Sequence, residues 1–224
     1  MIWVKPPSHG PAYYASAPIE PTLTRSSETM QSIRIIQEEH RSLAAVLNAL
    51  LFLVHEIRDR GATPDFELLG AMIYYIDTVP ERFHHPKEEQ YLFWLLRIRY
   101  PGIALLLDQL KQEHEISAQK IRAIEQALVH YQQGGHAEFP NFLAAVDDYA
   151  TFHWAHMKVE ESAILPLAKA HLTAGDWEAI DAAFLGHSDP LLGVDAGAKY
   201  EALFSRIVNL APPPVGVGAS REPA

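Results

Sequence analysis

The 224-residue chain contains no cysteine. Disulfides, thiolate zinc sites, iron–sulfur clusters and cysteine nucleophiles are therefore excluded. It has no basic excess: 18 Lys and Arg stand against 28 Asp and Glu, for a net charge of -10. Nucleic acid and anionic membrane surfaces are poor partners for such a chain. It also lacks a long apolar run. The stretch 43–54 is among the longest and falls far short of a membrane span. The first residues, from Met1 to Pro7, have no secretory apolar core. These absences point to a cytoplasmic protein.

What is present is a globular composition, 48% hydrophobic and 21% charged. The length suits one domain with appendages. Twelve histidines are more than solubility requires, and they turn attention to metal or proton chemistry.

Five prolines between Pro6 and Pro21 make residues 1–27 an extended arm. Residues 28–172 read as four long helices. The first is capped by Ser26 or Ser27 and stops at Gly61. The second starts at Thr63-Pro64-Asp65 and ends near Tyr100, with a kink or bulge expected at Pro80 and Pro86. The third runs from about Pro101 to the Gly134-Gly135 stop, and the fourth over roughly 138–171. Thr173 and Asp176 form a capping box that opens a short fifth helix. A sixth is expected over 198–210, and 211–224 is a tail. The predicted fold is all-α, an up-down-up-down four-helix bundle with added C-terminal helices.

Polar residues interrupt each apolar stripe once. In the first helix the stripe Ile33, Ile36, His40, Leu43, Leu47, Leu50, Val54, Ile57 has one polar member, His40. In the third, His114 falls between Leu110 and Ser117. In the second, the stripe passes from Ile76 to His84, Glu88, Tyr91 and Leu95. In the fourth, it passes from Tyr149 through His153, His156 and Glu160 to Ala163 and Leu167. A histidine and a carboxylate four apart share a helix face. Counted from one end of an antiparallel bundle, His40, His84, His114 and His156 all lie roughly 18–23 Å deep.

An isolated buried carboxylate is too costly for a marginally stable domain, so these groups need partners. Four imidazoles and two carboxylates suit a first-row metal and are too many for one four-coordinate zinc. Two metals that share both carboxylates use every donor. Because of the nearby prolines, His85 and Glu89 are alternatives to His84 and Glu88. His153 is a further ligand, a residue supporting a ligand, or a lining residue. A purely structural polar network is the bland alternative.

The segments Glu39-His40, His84 to Phe93, Glu113-His114 and His156 to Pro166 resemble the hemerythrin family, in its bacterial HHE cation-binding group. The resemblance spans about residues 30–170. It implies a four-helix bundle holding two non-haem iron ions, bridged by carboxylate and by oxo or hydroxo. On that pattern His40, His84, Glu88, His114, His156 and Glu160 are the ligands. Oxygen-carrying hemerythrins have a second histidine one turn away on the third helix. Leu110 and Ala118 stand there in this chain, leaving four histidines unless His153 makes a fifth. The set is also similar to iron-centre repair proteins, whose cysteine-bearing N-terminal segment this chain lacks.

The resulting expectation is a di-iron protein that binds O2, NO or peroxide for sensing, scavenging or iron handling. A di-iron peroxidase or oxidase, an iron-centre repair protein and a metal-free structural bundle are the rivals. The expected partner is a small diatomic ligand or a peroxide, and a homodimer is compatible with the sequence.

Overall fold

The structure, a computed structural model, describes residues 30–186, 205, 207–209 and 211. The predicted arm over 1–27 lies outside the described residues. Helix α1 is Gln31–Arg60. Helix α2 covers 66–99 and is composite. Its α-helical stretches Phe66–Ile76, His85–Lys87 and Trp94–Arg99 are joined by π-helical turns at Asp77–His84 and Glu88–Phe93. A 3-10 turn at Pro101–Ile103 leads into α3, Ala104–Gly134. Helix α4 covers 139–171, with a π-helical turn at Glu160–Ile164 between Phe139–Val159 and Leu165–His171. Helix α5 is Ala174–Leu185.

The helices pack in a ring: α1 against α2 and α4, and α3 against the same two. This is the expected all-α bundle. Several boundaries follow from local chemistry. Gly61 closes α1 in the left-handed region at φ 64°, where glycine carries no Cβ penalty. Asp65 caps α2 by accepting from the Leu68 backbone. Thr173 and Asp176 form the reciprocal capping box of α5.

The start of α1 differs from the sequence expectation. Ser26 and Ser27 lie outside the described residues, and the helix begins at Gln31. Its first donors are taken by Asp181 of α5, which accepts from the Met30 and Ser32 backbones and from the Ser32 hydroxyl at 2.6–2.9 Å. A cap supplied from 149 residues away leaves no local sequence signal.

The first and third π-helical turns sit where proline removes a helical donor and crowds the carbonyl four residues back. Pro80 lies inside the first, and Pro86 and Pro166 follow the first and third. Each widened turn carries an extra residue and advances the phase of the helix by one. After Glu88 the buried stripe takes in Leu92 and Leu96 beside the expected Leu95, leaving Tyr91 exposed. After Glu160 it continues at Ile164, Leu165 and Ala168 rather than at Ala163 and Leu167.

The core forms two apolar clusters. One fills the half of the bundle from Leu43, Ile76 and Ile121 to Tyr149, and also takes in Ile207 and Ala211. Residues 205 and 207–209 are helical, within the expected sixth helix. The other fills the half containing Ile36, Leu96, Leu107 and Ile164, and α5 closes that end with Trp177, Ile180 and Phe184. Each large side chain fully buried there contributes about 1.5–3 kcal/mol, which holds α5 to the bundle. Between the two clusters lies a layer of buried histidines and glutamates.

Candidate metal centre

His40 and Glu160 face His84 and Glu88 across the bundle axis, and each is at most 4% exposed. The Nε2 atoms of His40 and His84 lie 3.1 Å apart. Those of His114 and His156 lie 3.2 Å apart. Glu88 turns Oε1 toward His84 at 3.3 Å and Oε2 toward His114 at 3.7 Å. Glu160 turns Oε2 toward His40 at 3.4 Å and Oε1 toward His156 at 3.2 Å. Each carboxylate thus spans the two histidine pairs. None of its oxygens makes a hydrogen bond, though all four are buried.

That arrangement fits cations. Two nitrogens bound to one first-row ion at about 2.1 Å and roughly at right angles lie about 3.0 Å apart, close to the observed pairs. His40, His84, Glu88 and Glu160 form one group of converging donors, and His85, His114 and His156 another. Nitrogen and oxygen donors without sulfur suit a first-row ion such as iron, manganese or zinc.

The four histidines are oriented by a closed ring of carboxylates. His84 donates Nδ1 to Glu39 of α1 at 2.7 Å. His114 donates to Glu89 of α2 at 2.9 Å, and His156 to Glu113 of α3 at 2.9 Å. His40 closes the ring by donating to Glu161 of α4 at 3.1 Å. Every Nε2 is thereby aimed inward. Sequence reasoning missed Glu39, Glu113 and Glu161 in this role. Their signal was present as the doublets Glu39-His40, Glu113-His114 and Glu160-Glu161. Glu89, considered as an alternative to Glu88, instead supports His114.

The electrostatics call for positive charge. Burial opposes protonation of His84, but the charge of Glu88 and the hydrogen bond to Glu39 outweigh it and hold the imidazole well above its ordinary value. His114 is raised in the same way, burial being overcome by Glu160 and Glu89. His156 reaches about 10, with Glu160 and Glu113 overcoming burial. Glu160 is held well below the usual carboxylate range despite burial, chiefly by His156. Bound cations meet the same demand.

His85 and His153 behave oppositely. Burial and the neighbouring histidines push both well below the ordinary imidazole value. His85 stacks on His114 with ring centroids 3.9 Å apart, and its Nδ1 faces Glu81 Oε2 at 3.4 Å. Glu81 also accepts from Ser117 at 2.5 Å, and burial lifts its carboxyl to about 7 against that hydrogen bond. A regular helix would turn His85 about 100° from His84. Both nevertheless face the interior, at the end of the π-helical turn 77–84. His153 stands one turn before His156 with its ring stacked on Tyr149, outside both donor groups.

A helical bundle whose core is cut by a layer of convergent histidines and carboxylates defines a cation-binding bundle protein. The chain belongs to the hemerythrin family: the profile of the hemerythrin HHE cation binding domain matches residues 31–168. No curated protein and no solved structure matches the chain. Among the described residues no helix is long and apolar enough to cross a membrane.

Proposed function

We propose that the chain is a cytoplasmic non-haem di-iron protein that binds O2, NO or peroxide for sensing, scavenging or iron handling. The observation that carries this reading is the two-sidedness of Glu88 and Glu160. Glu88 turns one unbonded oxygen toward His84 and the other toward His114, and Glu160 turns one toward His40 and the other toward His156. On this reading His40, His84, Glu88, His114, His156 and Glu160 hold two ions, and His85 adds a nitrogen beside His114 and His156. The iron pair supplies redox chemistry and a position for a small ligand.

The chain's own residues do the rest. The ring of Glu39, Glu89, Glu113 and Glu161 fixes the imidazole tautomers. The apolar clusters on either side keep the layer dry. With two histidines against three, the His40 side has the smaller nitrogen set, which supports it as the side where a small ligand binds.

The test is metal content with a visible spectrum, before and after reduction and exposure to air. Protein produced with iron should hold close to two irons per chain. A reproducible value near one, with no gain on anaerobic addition of iron, overturns the binuclear reading. Sustained turnover of peroxide with a reductant would make the chain a peroxidase rather than a binder.

A further inference from the structure

A groove of about 570 Å³, open to solvent, is lined by residues of α1 and α4. That volume falls within the range of sites for small organic molecules, about 300–1,000 Å³. Part of the lining is apolar: Ala44 of α1, and Trp154 and Met157 of α4. Ala44 has only a methyl group, which leaves room beside the indole. Trp154 is half-buried, so part of its ring system remains available to a guest. An indole favours another flat ring, stacked or edge-on, and a thioether such as that of Met157 also makes favourable contacts with aromatic rings.

The rest of the lining carries charge. Arg41 comes from α1 and Lys158 from α4, and both are exposed. Most arginines of the bundle are matched: Arg58, Arg60, Arg82, Arg97 and Arg99 each meet a carboxylate. Arg41 and Lys158 have no ion-pair partner among the described residues. The one carboxylate of the lining, Glu161, already accepts the Nδ1 hydrogen of His40. Two unmatched cations against one engaged carboxylate make the groove locally positive, in a chain of net charge -10. A groove opposite in sign to the whole molecule draws in anions.

We propose that this groove is a binding site for an aromatic anion, a small molecule whose flat ring lies against Trp154, Met157 and Ala44 and whose phosphate or carboxylate is held by Arg41 and Lys158. The site is separate from the histidine–glutamate layer and needs no metal, so it stands whether or not the di-iron reading does. His40 and Glu161 belong to both places. An occupant of the groove therefore touches the edge of the layer without entering it.

The probe is flavin mononucleotide, which joins a flat ring system to a phosphate. It is titrated into the full chain, metal-free and iron-loaded, and followed by flavin fluorescence and calorimetry. Riboflavin has the ring without the phosphate, and inorganic phosphate has the charge without the ring. Wild type should bind the mononucleotide with a Kd below about 100 µM in both metal states. Riboflavin and phosphate should each bind roughly tenfold more weakly. Arg41→Gln and Lys158→Gln should each weaken the mononucleotide about fivefold, as expected for an exposed ion pair, and leave riboflavin unchanged. Trp154→Leu should weaken both flavins. Added salt should weaken the mononucleotide and spare riboflavin. Circular dichroism of each variant checks that the fold is kept.

A wild-type Kd above about 100 µM for the mononucleotide overturns the site, whatever the variants do. Equal affinity for riboflavin overturns the role of Arg41 and Lys158. Equal affinity for phosphate means an adventitious ion only, and overturns the recognition of a ring. Unchanged binding in both charge variants, or in Trp154→Leu, puts the flavin elsewhere and overturns the proposal too. So does binding that appears only in iron-loaded protein, since the phosphate would then be held by metal. The iron count itself bears on the di-iron reading alone.

Discussion

His84 donates its Nδ1 hydrogen to Glu39 at 2.7 Å, and Glu39 is the residue just before His40. One helix therefore supplies an imidazole with its own residue 40 and steers its neighbour's imidazole with residue 39. The same relation repeats from α2 to α3, α3 to α4 and α4 to α1. Replacing Glu39, Glu89, Glu113 or Glu161 by alanine should leave two irons at saturation but weaken metal affinity by about 10–100-fold each. Competition with a chelator measures it. Unchanged affinity would mean that packing alone orients the rings.

Glu88→Gln and Glu160→Gln probe the shared carboxylates. An amide keeps the shape but has only one acceptor oxygen. Each variant should lose at least one iron, whereas Glu89→Gln should keep both. Elemental analysis of the three purified variants distinguishes the spanning carboxylates from the supporting one.

His85 tests the less legible part of the site. His85→Ala should lose or loosen the ion beside His114 and His156, while His153→Ala keeps both ions. Full occupancy in His85→Ala, at wild-type affinity, would reduce His85 to a stacking partner of His114.

Helices α1 and α3 were legible almost residue by residue. From Ile33 to Ile57 every predicted stripe position is buried, and so is the third-helix stripe Ile103, Leu107, Leu110, His114, Ser117, Ile121, Ile124, with only its last member, Leu128, half-buried. A regular 3.6-residue period let the interruption at His40 and at His114 stand out. In α2 and α4 the same reading held as far as Glu88 and Glu160; beyond them Tyr91, Ala163 and Leu167 are not buried, although Leu95 is. A period count assumes a constant pitch, and the π-helical turns at Glu88–Phe93 and Glu160–Ile164 break it. His85, an alternative to His84 on account of the nearby prolines, is buried alongside it rather than in its place. The ring of orienting carboxylates was missed because its links run between helices. Asp181 was missed because a cap from another helix has no sequence spacing.

Asp181→Ala should leave Met30 and Ser32 without their acceptor. Loss of a helix cap costs about 0.5–2 kcal/mol. In a chain of this size that corresponds to a fall in Tm of about 1–8 °C. Thermal unfolding of the metal-free protein reads it without interference from iron. No change in Tm would mean that water replaces the carboxylate at no cost.

Acid should weaken the anchoring of α5. The Arg99 side chain holds the Asp176 carboxyl below the usual range against the opposing effect of burial, with smaller help from the capping contacts of Thr173. A depressed folded value gives stability that is present above the unfolded value, about 3.9, and is lost as pH falls toward the folded one. Wild type should lose Tm below about pH 4 more steeply than Asp176→Asn, which cannot titrate. Parallel curves would overturn the assignment.

The contact between Asp181 and the first turn of α1 also sets an order in time. The chain is synthesised from α1 onward, yet α1 takes its native cap only from α5, 149 residues later. His40 lies nine residues beyond the start of that helix, within the same element as Ser32. Its steering partner, Glu161, is also among the later parts of the bundle to emerge. Of the four carboxylate-oriented imidazoles, the first to be made is thus the last to be secured. Cation loading belongs after synthesis of the bundle and α5, and a nascent chain halted before α5 offers a cation an unfinished centre.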